Sequence, residues 1–172
     1  MLMTPGLRKA ALTAHVTSSL GWFGAVAAFL ALAVVGLQSS DPREVRAAYL
    51  AMDVTAWTVI VPLCLATLLT GVVQSLGTTW GMFRHYWVTA KLVLTVPASA
   101  ILLLHMQPIS YLADVAAAGA LAGGDDRRLR IQLIANAGAA LFVLVVTTVL
   151  SIYKPRGVTP YGQRKTRQEQ SR

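Results

Sequence analysis

At 172 residues, the chain is 55% hydrophobic and only 13% charged, with a mean hydropathy of +0.58; soluble domains carry about 25% charged residues. Four stretches, 10–40, 54–83, 92–113 and 131–153, contain no Asp, Glu, Lys or Arg. About 20 apolar residues at ~1.5 Å rise cross a hydrocarbon core of roughly 30 Å, so each can span, and little chain remains for a separate soluble domain.

The first span is read at about 11–37. Arg8 and Lys9 precede it and Ala31-Leu32-Ala33 lies near its end, but the apolar run is longer than the roughly 7–15 residues of a signal peptide, so a retained helix is expected. Ser18, Gly21, Gly24, Ala25 and Ala28 would let a neighbouring backbone approach closely. Asp41-Pro42 then reads as a helix start, with 43–49 as a short helical lead-in. The second span, about 54–79, contains Pro62, a kink signal, and the lone Cys64, which has no second thiol to pair with. Thr67, Thr70, Gly71, Gln74 and Thr78 share one face.

Between spans two and three lies "GTTWGMFRHYWVTAKLVL", residues 77–94, where charge and aromatics crowd together. Trp80, Phe83, Tyr86, Trp87 and Tyr153 read as one aromatic belt, and Tyr49, Trp57 and Tyr111 as the opposite one. Arg84 reads as a membrane-surface charge, and Lys91 as a side chain that snorkels to the headgroups. Lys154, with Tyr153, completes the interface set at the end of the last span. None of this accounts for His85.

The third span is read at about 86–106, with Pro97 inside and Pro108 closing it. The small-residue segment 113–124 follows as a flexible loop ended by Gly123-Gly124. The fourth span, about 128–153, carries Gln132, Asn136, Thr147 and Ser151 at three- and four-residue spacings and stops at Lys154-Pro155. Such stripes serve either as interhelical hydrogen bonding, at roughly 0.6–2 kcal/mol each, or as the lining of a cavity. The tail 154–172 holds six Lys/Arg and one Glu. Starting directly at a helix end, it reads as an anchor on anionic lipid rather than a nucleic-acid-binding arm, disordered beyond residue 160.

Ten of the fifteen Lys and Arg fall in 1–9, 84–91 and 154–172, whereas the opposite loops hold five beside six of the seven acids. The positive-inside tendency places both termini in the cytoplasm.

The three histidines pose the chemical question. His15 lies about a turn into the first span and His85 at the same end of the third, at similar depth. Two imidazoles on facing helices are what a bis-histidine haem b needs. The competing reading is interfacial histidines satisfied by headgroups, water or carbonyls. In either case His85 is expected to pair inward, at or near His15. His105-Met106 suits copper by ligand type, although adjacent helical positions diverge by about 100°. No phosphate-binding loop, Ser-His-Asp set or paired-carboxylate site is present.

The opening "TAHVTSSLGWFGAVAAFLALA", the hairpin "LLTGVVQSLGTTWGMFRHYWVTAKLVLT", "ILLLHMQPI" and the closing "YKPRGVTPYG" resemble a group of four-span membrane proteins of high-GC actinobacteria. They are similar to a broader bacterial family of integral membrane proteins of unknown function. The resemblance covers most of the chain and implies no established activity or catalytic residue; the expected location is the bacterial cytoplasmic membrane. The histidines in span one and near span three are also similar to those of transmembrane b-type cytochromes and copper-import proteins. The sequence thus predicts an all-α four-helix transmembrane bundle, N-in and C-in. A non-enzymatic packing, partner- or ligand-binding module, with a second copy or another membrane protein as partner, is its first functional reading; haem on His15 and His85 is the alternative.

Overall fold

The structure is a computed structural model that describes residues 3–77, 82–119, 124–155 and 157–170. It is an all-α bundle of four long apolar helical spans. Helix α1 (Pro5–Gln38) is capped by Thr4, whose hydroxyl accepts from the Leu7 amide, and has Pro5 at its first position, where a missing N–H is no loss. Ser18, Trp22, Val26, Phe29, Ala33 and Gly36 are its buried residues, a three- and four-residue repeat that defines one inward face. Through that face α1 packs against the second span and α6.

The second span is continuous. Helix α2 (Pro42–Thr55), capped by Asp41 through the Arg43 amide at 2.8 Å, passes through one π-helical turn, Ala56–Ile60, into α3 (Val61–Gly77). In that turn the Val61 amide bonds to Ala56 O, five residues back. The cause is Pro62, which has no N–H and whose ring crowds the carbonyl four residues earlier. The lead-in read at 43–49 is therefore a full helix joined to the span.

The third span runs through α4 (Tyr86–Leu104) and α5 (Met106–Ala117), broken only at His105 (φ −89°, ψ 0°). Pro108 does not close this helix. It sits in the first turn of α5, where its absent N–H would have been unpaired anyway. The part of 113–124 read as flexible is helical to Ala117, with Ala113 and Ala116 buried; Gly123 lies outside the described residues. Helix α6 (Gly124–Tyr153) ends where Lys154 takes φ +42° before Pro155. Beyond it, where disorder was expected, α7 (Pro160–Gln170) forms. It is held by the hairpin: Val158 bridges His85, the Thr159 amide donates to Arg84 O at 3.0 Å, and the Tyr86 amide donates to Gly157 O at 3.4 Å.

The bundle is packed unevenly. Tyr49, Met52, Ile60, Cys64 and Leu112 are its largest fully buried side chains, all toward the end where α2 and α5 pack together. There Arg130 Nε donates to Tyr49 Oη at 2.8 Å, its guanidinium also donates to Gly36 O, and it lies 5.5 Å from the Tyr49 ring centre. The flanks carry exposed Leu69, Leu104, Phe142 and Ile152, an apolar surface suited to hydrocarbon rather than water.

Candidate functional site

At the end holding both termini the helices are less tightly filled. The α3 and α4 helices, though consecutive, touch only sparingly, and α1, α3, α4 and α6 enclose a cleft of about 780 Å³. That volume suits a small ligand. Leu12, Leu20, Val145 and Ile152 line it and are also exposed on the outer surface, so the cleft opens sideways toward lipid. Its polar wall includes Arg8, His15, Gln74, Lys91, Ser151 and Lys154. Among the described residues no Asp or Glu lines it.

His15 is half-buried in this wall. Its Nδ1 lies 3.0 Å from Thr70 Oγ1, which itself donates to Ala66 O at 2.6 Å. Because the threonine proton is committed to that carbonyl, Nδ1 is assigned as the donor and Nε2 retains its lone pair. This arrangement orients the imidazole and does not deprotonate Thr70, so the pair is not an activated nucleophile. Gly71 makes room for the ring: a Cβ there would lie 3.3 Å from His15 Cε1. One helix turn along α3, Gln74 Nε2 donates to Ala11 O at 3.1 Å. The predicted polar face of the second span thus bonds α1 to α3; Thr78, assigned to the same face, lies outside the described residues.

His85 occupies a different neighbourhood. It is the N-cap of α4, half-buried, its backbone bridged to Val158, and it does not line the cleft. Lys91, which shares the cleft with His15, is six residues further along, about 9 Å of helix rise. The partner His15 takes is Thr70.

The interface residues divide. Lys91 turns into the bundle rather than out to headgroups: its Nζ donates to Ser151 Oγ on α6 at 2.6 Å. Trp87 and Thr95, one turn to either side, line the same cleft, which fixes that face of α4 inward. Arg84 is half-buried and its carbonyl receives the tail, whereas Tyr153 and Lys154 are exposed at the end of α6. Trp80 lies outside the described residues.

His105 and Met106 sit together at the α4–α5 junction but face apart. Met106 is buried in the core, while His105 Nδ1 lies 2.7 Å from Ile101 O and Nε2 lies 3.2 Å from Gln132 Nε2. No group of three or more His, Cys, Asp or Glu able to hold a metal occurs among the described residues. Cys64 is a free thiol donating to Ser99 Oγ at 3.1 Å.

Two features of the cleft were not singled out in the sequence. One is that Arg8, Lys91 and Lys154 line the same cleft, which the separation of their helices along the chain concealed. The other is a pair of buried polar atoms, Trp22 Nε1 and Thr67 Oγ1, that line the cleft without a hydrogen-bond partner. Compared with known protein families, characterised proteins and solved structures, the chain matches none.

Proposed function

We propose that this chain is a non-enzymatic, multi-pass protein of the bacterial cytoplasmic membrane, of the actinobacterial kind its sequence resembles. In this reading its cleft takes up an amphipathic ligand. The observation that carries the reading is the cleft itself: apolar walls continuous with the lipid-facing surface, closed at one end by polar and cationic side chains. A long-chain alcohol carrying a diazirine, photolysed with the full chain in detergent, should label peptides of α1, α4 and α6 that line the cleft. Ser19→Trp, placed on the cleft wall, should reduce that labelling about tenfold, the effect of about 1.4 kcal/mol. Adducts spread evenly over the outer surface, or unaffected by Ser19→Trp, would overturn the proposal.

Orientation follows from the basic residues. With both termini and the 82–85 hairpin in the cytoplasm, the exposed Arg164, Lys165 and Arg167 of α7 lie against anionic lipid, each contributing about 1 kcal/mol near the surface. A cysteine placed at the exposed Ser40 should then react with an impermeant maleimide added outside intact cells, about tenfold faster than one at Lys165. The reverse order would invert the topology. The outward-facing Gly24 and Ala28, the former with nothing within 4 Å of its Cβ position, form a surface where a second copy or another membrane protein would pack.

Haem b is the second reading, favoured by the unprotonated Nε2 assigned to His15 in the cleft wall. The first reading expects protein purified from haem-supplied cells to show no Soret band. A Soret band lost in His15→Ala would establish the second.

A further inference from the structure

We infer that the ligand of the cleft is a membrane lipid with a phosphate headgroup, seated with the phosphate between Arg8, Lys91 and Lys154 and an acyl chain along the apolar wall. This rests on the reading of the cleft as an amphiphile site and adds the class of headgroup.

Three observations converge on it. First, the charge within the cleft has one sign. Arg8 on α1, Lys91 on α4 and Lys154 after α6 all line it, and no carboxylate does among the described residues. An ammonium offers three donors, and the one hydrogen bond from Lys91 to Ser151 leaves it able to bind a phosphate oxygen as well. A phosphate diester supplies the opposite charge together with acceptor oxygens.

Second, the polarity changes with depth. Arg8 and Phe23 both line the cleft, fifteen residues apart on α1, which is about 22 Å of rise. The cationic end is the end that holds the chain termini, at headgroup level, while the Phe23 end reaches into the hydrocarbon core. A free phosphate would use only the first part, and a neutral hydrocarbon only the second. Because Leu20 and Ile152 both line the cleft and are exposed on the outer surface, its wall is continuous with the lipid-facing side and a lipid can enter from the bilayer without leaving it.

Third, two polar atoms are unsatisfied further in. Thr67 lies one turn deeper than the Thr70 that holds His15, and Trp22 lies two turns deeper than His15. The Thr67 hydroxyl and the Trp22 indole N–H are buried and unpartnered, which is unfavourable for a donor removed from water. Ester oxygens stand between the phosphate and acyl chains of a phospholipid, and are acceptors of the kind these two donors lack.

The test is native mass spectrometry of the full chain in neutral detergent, titrated with phosphatidylglycerol, with diacylglycerol (the same acyl chains and no phosphate) or with inorganic phosphate. Phosphatidylglycerol should bind best, with inorganic phosphate a weak competitor. Arg8→Gln and Lys91→Gln should each weaken phosphatidylglycerol about fivefold, the equivalent of one basic residue near a membrane surface, and should leave diacylglycerol, which offers these cations no phosphate, unchanged. Arg8 is exposed at the start of α1, so its variant tests the site without disturbing the bundle. Replacing Arg164, Lys165 and Arg167 together by Gln separates the cleft from the basic surface of α7. If this tail variant removes the preference and the two cleft variants do not, the inference fails. If the two lipids bind equally and both are displaced by Ser19→Trp, the amphiphile site stands and the phosphate assignment fails. If neither responds to Ser19→Trp, both fail. Full displacement by inorganic phosphate, with no dependence on the acyl chain, would instead make this a site for free anions.

Discussion

Tyr49→Ala is expected to destabilise the protein by about 3–5 kcal/mol, the range for removing a buried aromatic side chain, and to lower the unfolding midpoint in detergent by roughly 6–20 °C. The Tyr49 ring is 1% exposed and packed over Gly36, where a Cβ would lie 2.9 Å from its Cε2. Its hydroxyl accepts from Arg130 Nε, and the same guanidinium reaches the Gly36 carbonyl. One residue thus ties α1, α2 and α6 together, and its loss leaves a cavity and deprives a half-buried cation of a partner. Tyr49→Phe retains the ring and should cost only about 1.5–3 kcal/mol, the range for a hydrogen bond to a charged group. Gly36→Ala should cost about 1–3 kcal/mol through overpacking, because the ring it meets is pinned by Arg130. Trp57, 51% exposed, is the control: if Tyr49→Ala is no more damaging than Trp57→Ala, the proposed core at this end is wrong.

Gly162→Ala should release the C-terminal helix even though it improves the helix itself. Alanine is favoured over glycine inside a helix by about 0.8–1.0 kcal/mol, so an undocked α7 would become more ordered. In the docked position, however, a Cβ on residue 162 would stand 2.5 Å from Arg84 O and 2.7 Å from Val158 Cγ1. The first neighbour is backbone and cannot rotate away. The latch also depends on Thr159, whose hydroxyl donates to Phe83 O and accepts from the Gly162 amide at 3.1 Å. Tryptic cleavage after Arg164 and Lys165 should accelerate about tenfold in Gly162→Ala, which corresponds to about 1.4 kcal/mol of lost docking. Hydrogen exchange at the Thr159 amide should rise in parallel. Slower cleavage in the variant would mean that helix propensity, not docking, controls this segment.

This latch accounts for part of the crowding of charged and aromatic residues at 77–94. Arg84 and His85 form the strip against which 157–162 folds. Their backbone groups matter there as much as their side chains, and hydropathy carries no information about backbone pairing between segments more than seventy residues apart.

The four spans were legible because crossing about 30 Å of hydrocarbon demands a long uncharged run whatever the packing, and no tertiary contact can remove that demand. Local punctuation was legible for the same kind of reason. Asp41-Pro42 starts a helix, Pro62 perturbs the turn before it, and Lys154-Pro155 ends α6, each through backbone geometry within a few residues. Pro108 was misread because a proline closing one helix and a proline in the first turn of the next look alike in sequence; the break at His105 decides between them. What only the tertiary structure decided is which apolar face points inward. In water the polar face of a helix marks the outside, but in a membrane both lipid and core are apolar, so helix packing rather than hydropathy chooses. That choice turned Lys91 toward Ser151, set Arg130 over Tyr49, and left a cleft among α1, α3, α4 and α6 that three cations distant in sequence line.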